Sequence, residues 1–410
     1  MTYNFNKGGS KWSPFFYEVK QGGKMKSFLY GIFFLICVSS GAQAESVKCD
    51  FGSVKFLSNF ETARLNGCEV KSGDYYLYIS PEITPVNPSP WYAFKVVSDK
   101  ERTINVYLNY TYAKHRYWPK ISRDGLRWSR LKPGKIKEYK KGRKVRLRLN
   151  VGRDPLWVSA QEILNGQYYD VWNRHMESRN FVSLSKMGNS VEGRPIYKLE
   201  TAGDWGEDKP GNLMLIGRQH PPEVTGALAM IPFVETLLAD TPLAKKFRNK
   251  FRIIIVPNLN PDGVAQGNWR TNANGKDLNR DWRDFSQPET RLIKTELNRF
   301  KDEKEGRLHL FLDFHSTWEN LIYTQTREDK TTPPAFASRW YEAIKKRAPK
   351  IPFKHDPRHN STLPTSKGYV FNHFGAPAIT YEMGDEADRE QIFELAMIAA
   401  EEMMKILLDS

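Results

Sequence analysis

The stretch Leu213-Met214-Leu215-Ile216-Gly217-Arg218-Gln219-His220-Pro221-Pro222-Glu223 decides how the chain is read. Its first five residues are a continuous apolar run, as expected of a strand buried on both faces. Proline is well tolerated at a first helical position, so Pro221-Pro222 marks the entry to a helix expected over residues 223–238. A strand that hands over to a helix in so few residues is the repeating step of an α/β fold. His220 and Glu223 stand three apart and can point to one side of that turn. With one distant histidine they would form a His₂Glu zinc site whose fourth position stays open for water.

Outward from this stretch the same texture continues. Residues 253–257 form a second continuous apolar run, and residues 308–314 and 378–381 form more mixed ones. Helical patterns are expected over 288–300, 334–346 and 389–408. The alternation predicts an α/β domain over 161–410 with a mixed or mostly parallel sheet. His315 ends the strand 308–314, at the carboxyl edge where open α/β sheets bind ligands, and is the candidate for the third ligand. His309 lies inside that strand and reads as structural. His115, His175, His355, His359 and His373 lack a comparable setting and read as surface or core.

Residues 45–160 have a different texture. Ile104, Val106, Leu108, Tyr110 and Tyr112 alternate with Asn105, Tyr107, Asn109 and Thr111, and Val145, Leu147, Leu149 and Val151 alternate with Arg146, Arg148 and Asn150. Period-two alternation marks half-buried strands. A small antiparallel β-sandwich is expected here. Residues 127–153 carry twelve Lys or Arg and one acid, Glu138. That stretch is either a set of solvated strand faces or an anion-binding surface, with anionic cell-wall polymer or lipid headgroups better candidates than nucleic acid.

The 410 residues carry 62 Lys+Arg against 47 Asp+Glu, a formal charge of +15. A hydrophobic share of 40% with 13% aromatics excludes a disordered chain. No apolar run reaches the roughly 18 residues that span a bilayer. From Met25 a basic start, the apolar run 28–38 and Ala42-Gln43-Ala44 follow the pattern of a secretory signal peptide. Residues 1–24 have no pattern and read as a misannotated upstream segment, with 25–44 the signal peptide. Removal of 1–44 would take away Lys7, Lys11, Lys20, Lys24 and Lys26 against Glu18, and with them four positive charges, leaving +11. It would also remove Cys37. Cys49 and Cys68 then remain as a pair, read as one disulfide in an exported, periplasmic or secreted protein.

Three polar groupings complete the candidate site. Residues 258–282 form a long segment without apolar periodicity, and such segments inside compact domains are usually functional or disordered. It holds Asn260-Pro261-Asp262-Gly263, Arg270-Thr271-Asn272 and Asp277-Leu278-Asn279-Arg280. Arg270 and Arg280 suit oxygen anions, and Arg280 can grip a carboxylate in a bidentate fork. Glu382, at the end of the strand 378–381, could take a proton from water beside a metal.

Together and in this order the motifs resemble the zinc metallocarboxypeptidases over roughly residues 185–385, and within them the cytosolic carboxypeptidase branch. Gly188-Asn189-Ser190-Val191-Glu192-Gly193-Arg194-Pro195-Ile196 is similar to the segment ahead of the family's first catalytic strand. Ser89-Pro90-Trp91-Tyr92-Ala93-Phe94 and Arg116-Tyr117-Trp118-Pro119-Lys120 resemble the branch's preceding β-domain. The resemblance implies one zinc per chain held by His220, Glu223 and His315, with Glu382 as general base. It also implies that Arg270 polarises the scissile carbonyl and that Asn279 and Arg280 bind the terminal carboxylate of a peptide. Family members carry a capping tyrosine ahead of the base, whereas residues 359–364 here contain none and the nearest is Tyr369. Lys367 lies near the family's specificity loop and would favour an acidic terminal side chain. Two alternatives share these residues: an amidase or peptidase acting on murein peptides with the same zinc site, and a non-catalytic wall-binding protein.

Overall fold

The computed structural model describes residues 49–203, 205, 210–301, 305–326, 328–358 and 362–410. The segment read as a signal peptide, the stretch before it and His359 lie outside these residues. The chain forms two compact units: residues 49–79, 92–111 and 118–163 belong to the first, and residues 80–91, 112–117 and 164–410 to the second.

The first unit is built from strands β1 (Cys49–Asp50), β2 (Val54–Leu57), β3 (Gly67–Lys71), β4 (Asp74–Ile79), β5 (Ala93–Ser98) and β6 (Arg102–Tyr110). They are followed by β7 (Lys120–Ser122), β8 (Ser129–Arg130), β9 (Ile136–Tyr139), β10 (Lys144–Val151) and β11 (Leu156–Ser159). One sheet has the order β1-β2-β5-β11-β7-β8 and the other β3-β4-β6-β10-β9. Alternation fixes which side of β6 is buried: Ile104, Val106, Leu108 and Tyr110 turn inward, Thr103, Asn105, Tyr107 and Asn109 do not. Phe56 of one sheet meets Tyr75 of the other at a ring separation of 5.3 Å. Cys49 and Cys68 form a disulfide that joins the two sheets.

The expectation of a wholly antiparallel sandwich needs one correction, since β4 and β6 pair in parallel. Between them the chain crosses to the other sheet as β5, and a parallel neighbour requires such a crossover. Tyr112, expected to continue β6, lies beyond its end and is exposed.

The second unit contains α1 (Gly166–Glu177), β12 (Val182–Asn189), β13 (Pro195–Thr201), β14 (Gly211–Gly217), α2 (Val224–Leu237), α3 (Pro242–Arg248), β15 (Phe251–Val256) and α4 (Pro261–Gln266). Then come α5 (Pro288–Leu297), β16 (Leu308–Thr317), β17 (Leu321–Tyr323), α6 (Phe336–Arg347), β18 (Lys354–Asp356), α7 (Ser366–Phe374), β19 (Ala378–Gly384) and α8 (Arg389–Leu408). Its eight strands lie in the order β12-β13-β15-β14-β16-β19-β17-β18. The central neighbours β15, β14, β16 and β19 pair in parallel, while β13 and β17 join them antiparallel. The sheet is therefore mixed, as the sequence predicts.

Central strands buried on both faces need helices on both sides. Helix α2 supplies one, buried over nearly its whole surface, and packs against α8 and β16. A helix that is apolar all round belongs in a core of this kind. Helix α8 begins on the Asp388 side chain, which accepts from the backbone N–H groups of Glu390 and Gln391. Across the sheet Leu259, Leu278, Trp282, Phe285, Ile293 and Phe311 form a continuous apolar cluster. Among the described residues no single helix is long and apolar enough to cross a membrane.

Candidate metal centre and active site

The turn after β14 presents His220, and Glu223 is the residue just before α2. Arg218 holds the turn in place: it adopts a positive φ of 56° and is buried. Its Nη2 donates to the Pro221 carbonyl at 2.7 Å and its Nη1 to the Tyr169 hydroxyl at 3.3 Å. A non-glycine residue in this region is held there by its surroundings.

His315 reaches the same place from β16. Helix α2 passes so close to this strand that a Cβ on Gly226 would stand 2.3 Å from the His315 carbonyl oxygen. Only glycine fits. The Gly226 N–H donates to Ser316 Oγ at 2.8 Å, which locks the helix start to the strand.

The ligand atoms of His220, Glu223 and His315 lie within 4.8 Å of one another. Both imidazoles turn the same atom inward: Nδ1 of His220 is 3.0 Å from Glu223 Oε1, and Nδ1 of His315 is 2.6 Å from Glu223 Oε2. Both turn Nε2 outward onto a carboxylate. His220 Nε2 lies 2.9 Å from Asp277 Oδ1, and His315 Nε2 lies 2.9 Å from Asp313 Oδ2. A histidine that binds a metal with one nitrogen usually gives the other to a carboxylate, which fixes its tautomer and ring orientation. Two imidazoles, one converging carboxylate and two supporting ones make a donor set of the type that holds zinc, and all three converging side chains are buried.

The electrostatics follow from this packing. Burial alone would raise the Glu223 carboxyl, but the imidazoles of His220 and His315 hold it well below its ordinary range. Burial would lower His315, but Asp313 and Glu223 hold it well above. Asp277 is lowered against its own burial by His220 and Arg270.

Glu382 is the register partner of His315 across the β16–β19 pair. Its Oε2 has no hydrogen-bond partner among the described residues. Burial pushes its carboxyl up to about 8; His315 and Arg270 pull it down, while Glu223 and Asp313 add to the rise. Arg270 reaches the cluster with its guanidinium: Nε donates to Asp277 Oδ2 at 2.9 Å and Nη1 lies 3.5 Å from Glu223 Oε1.

Asn279 and Arg280 lie in a single 3₁₀ turn, Leu278–Arg280, opened by the Asp277 side chain accepting from the Asn279 N–H. Asn279 is buried and its Oδ1 accepts from the Ser366 N–H at 3.0 Å. Arg280 is exposed, with Nη1 donating to the Asn279 carbonyl at 2.8 Å. The structure thus brings His220, Glu223, His315 and Arg270 into direct contact, with Asn279 and Glu382 adjoining them. Arg280 keeps an exposed guanidinium beside Asn279.

Sequence reasoning missed the supporting shell. Asp313 stands two residues before His315 on one strand and so shares its face, a signal readable from period-two geometry. Gln219 and Ser366 both donate to that same Asp313 oxygen. Lys367 is buried and burial lowers it to about 8; its Nζ donates to the backbone carbonyls of Arg358 and Thr324. Tyr369 is packed among Trp282, Phe285 and His373. His309 proves structural, its ring against Phe251.

A buried two-histidine, one-carboxylate cluster at the carboxyl edge of a mixed sheet defines an α/β protein with a candidate metal site. Residues 169–405 match the zinc carboxypeptidase family pattern, and the chain belongs to that family. It is 24% identical over 287 residues to cytosolic carboxypeptidase 6 of Caenorhabditis elegans, covering 65% of this chain and 62% of that protein. A shorter match, 32% over 144 residues, joins it to cytosolic carboxypeptidase 2 of Xenopus tropicalis, covering 33% of this chain and 15% of the relative. The chain therefore spans less than two thirds of the length of these relatives. Among solved structures, a metallo-carboxypeptidase from Burkholderia cenocepacia has the same fold, with a TM-score of 0.74 at 20% identity, covering 87% of this chain and 98% of that one. One from Pseudomonas aeruginosa in complex with (2-guanidinoethylmercapto)succinic acid matches at TM-score 0.67 and 20% identity, covering 87% and 99%.

Proposed function

We propose that the protein is an exported zinc carboxypeptidase that removes the C-terminal residue of peptides. The observation that carries this reading is the arrangement of His220 and His315, each with Nδ1 on Glu223 and Nε2 on an aspartate. His220, Glu223 and His315 would hold one zinc ion. Bound there, zinc supplies Lewis acidity, polarising a carbonyl and acidifying water at neutral pH.

The chain's own residues do the rest. Glu382 accepts the proton of the attacking water and returns it to the leaving amine, a role worth about 10²–10⁴-fold. Arg270 directs positive charge to the oxygen on which negative charge develops. By analogy with other oxyanion donors its loss would cost about 3–4 kcal/mol. Asn279 and the exposed guanidinium of Arg280 bind the substrate's terminal carboxylate, which restricts cleavage to the last bond. The Lys367 Nζ donates to the backbone carbonyls of Arg358 and Thr324, so an acidic terminal side chain would have to compete with them for it.

Export is supported by the signal-like pattern of residues 25–44 and by the Cys49–Cys68 disulfide, since such bonds persist in oxidising compartments. The first unit offers an anionic cell-wall polymer a surface on β10 and β9, where Lys144, Arg146, Arg148 and Lys137 turn away from the buried side.

The test is release of free C-terminal amino acid from blocked L-peptides, run beside digestion of purified murein peptides. The reading expects release from L-peptides that stops on chelation and returns with added zinc. Cleavage confined to murein peptides would favour the amidase alternative.

A further inference from the structure

Glu82 lies between β4 and β5, among residues 80–91, which belong to the second unit. It stands outside residues 169–405, which carry the family pattern. Its carboxylate is nevertheless the anchor of the Arg270 backbone. Oε2 accepts the Trp269 N–H at 2.7 Å, and Oε1 accepts the N–H groups of Arg270 and Thr271, both at 2.9 Å. Oε1 also accepts the Thr271 hydroxyl at 3.0 Å.

Residues 267–277 form neither helix nor strand, so their amides have no ladder to satisfy them. Consecutive backbone N–H groups aimed at one point make an anion-binding concavity. Here the Glu82 carboxylate fills it, through charge-assisted bonds roughly twice as strong as neutral ones. Trp269 adds a second tie to the same segment, its buried indole N–H donating to the Trp91 carbonyl at 3.1 Å.

At the other end of the side chain, Asp277 holds the Arg270 guanidinium at 2.9 Å. Arg270 is thus fixed at its backbone by Glu82 and at its tip by Asp277. An electrostatic donor is useful only when it is preorganised at the point where charge develops. A displacement of about 1 Å from residues away from the chemistry can lower a rate by about 10²-fold.

We propose that Glu82 is a positioning residue that sets Arg270 for the reaction; the inference rests on the role given to Arg270 above. The segment that carries it precedes the family pattern in sequence but belongs to the same compact unit as Arg270.

The test uses the full chain and four variants: Glu82→Gln, Glu82→Asp, Arg270→Ala and the double Glu82→Gln/Arg270→Ala. Zinc content and melting temperature are measured beside kcat and KM on a blocked L-peptide. Glu82→Gln is expected to lower kcat about 10- to 100-fold with KM little changed and zinc retained. In the Arg270→Ala background the same change should lower kcat by less than about 2-fold, because residues that act through one another are not additive. Should the glutamine variant fold poorly, Glu82→Asp keeps the charge but shortens its reach, and the same kcat loss at wild-type melting temperature is expected. Equal losses in both backgrounds, or wild-type kcat in a folded, zinc-loaded Glu82 variant, would overturn the proposal. Full activity in Arg270→Ala alone would instead remove the reading of Arg270 on which it rests.

Discussion

Asp277 divides its two carboxylate oxygens between His220 and Arg270: Oδ1 lies 2.9 Å from the His220 Nε2 and Oδ2 accepts from the Arg270 Nε at 2.9 Å. One side chain therefore orients both a candidate metal ligand and the candidate oxyanion donor. Replacement by asparagine keeps the shape but puts an amide against one of these donors. Asp277→Asn is expected to lower zinc affinity by about 10–100-fold, as losses of this kind of support do. At saturating zinc it should also lower kcat. Competition with a chelator reads the first effect and steady-state kinetics the second; unchanged values for both would contradict the shared role.

Gly226 predicts a steric outcome. A methyl group there would sit 2.3 Å from the His315 carbonyl oxygen, in backbone that has no flexible end to move aside. Gly226→Ala should separate α2 from β16, and with it Glu223 from His315. The expected result is a destabilised protein with weakened zinc binding, read by thermal melting and metal analysis. A variant with wild-type melting and metal content would show that the helix shifts without consequence.

Arg116 and Asp385 form an ion pair at 2.7 Å with side-chain exposures of only 9% and 4%. Removal of one partner of a buried pair leaves an uncompensated charge and typically destabilises by about 3–5 kcal/mol. Arg116→Ala is therefore expected to lower stability far more than a surface substitution, measured by chemical denaturation. A loss under about 1 kcal/mol would count against a buried, structural pair.

Glu235 gives a pH dependence. Burial raises its carboxyl to about 7, against the Trp172 indole N–H that donates to it and the nearby Arg179. The folded chain therefore prefers the protonated acid. Between about pH 4.5 and 7 the unfolded chain loses this proton and the folded chain keeps it, so stability falls as pH rises, and the penalty is complete above about 7. After discount for partial exposure it amounts to roughly 1–3 kcal/mol. Glu235→Gln should raise the melting temperature at pH 8 and change it little at pH 5. An equal change at both values would place the titration elsewhere.

Much of this was legible in the sequence because its signals are strong and local. The run Leu213 to Gly217 became β14, the run from Ile253 became β15, and α8 spans Arg389–Leu408 as its pattern predicts. His220, Glu223 and His315 were nameable because they lie near the carboxyl end of β16 or between β14 and the start of α2, where topology rather than fine packing sets the position. Helix α4 was missed although Asn260-Pro261 opens it and Gly267 closes it with a left-handed residue; six residues are too few to show periodicity. The parallel pairing of β4 with β6 depends on where the intervening chain goes, which no local pattern encodes. Glu82 is the extreme case, a loop acid whose partners lie far along the chain.

The most direct test of the central claim compares the purified wild type with Glu382→Gln, measuring zinc content and release of C-terminal amino acid in the same preparations. About one zinc per chain is expected in both proteins, with hydrolysis in the wild type and its loss in the variant. Wild-type protein that binds no zinc, or a zinc-loaded Glu382→Gln that still hydrolyses at the wild-type rate, would contradict that claim.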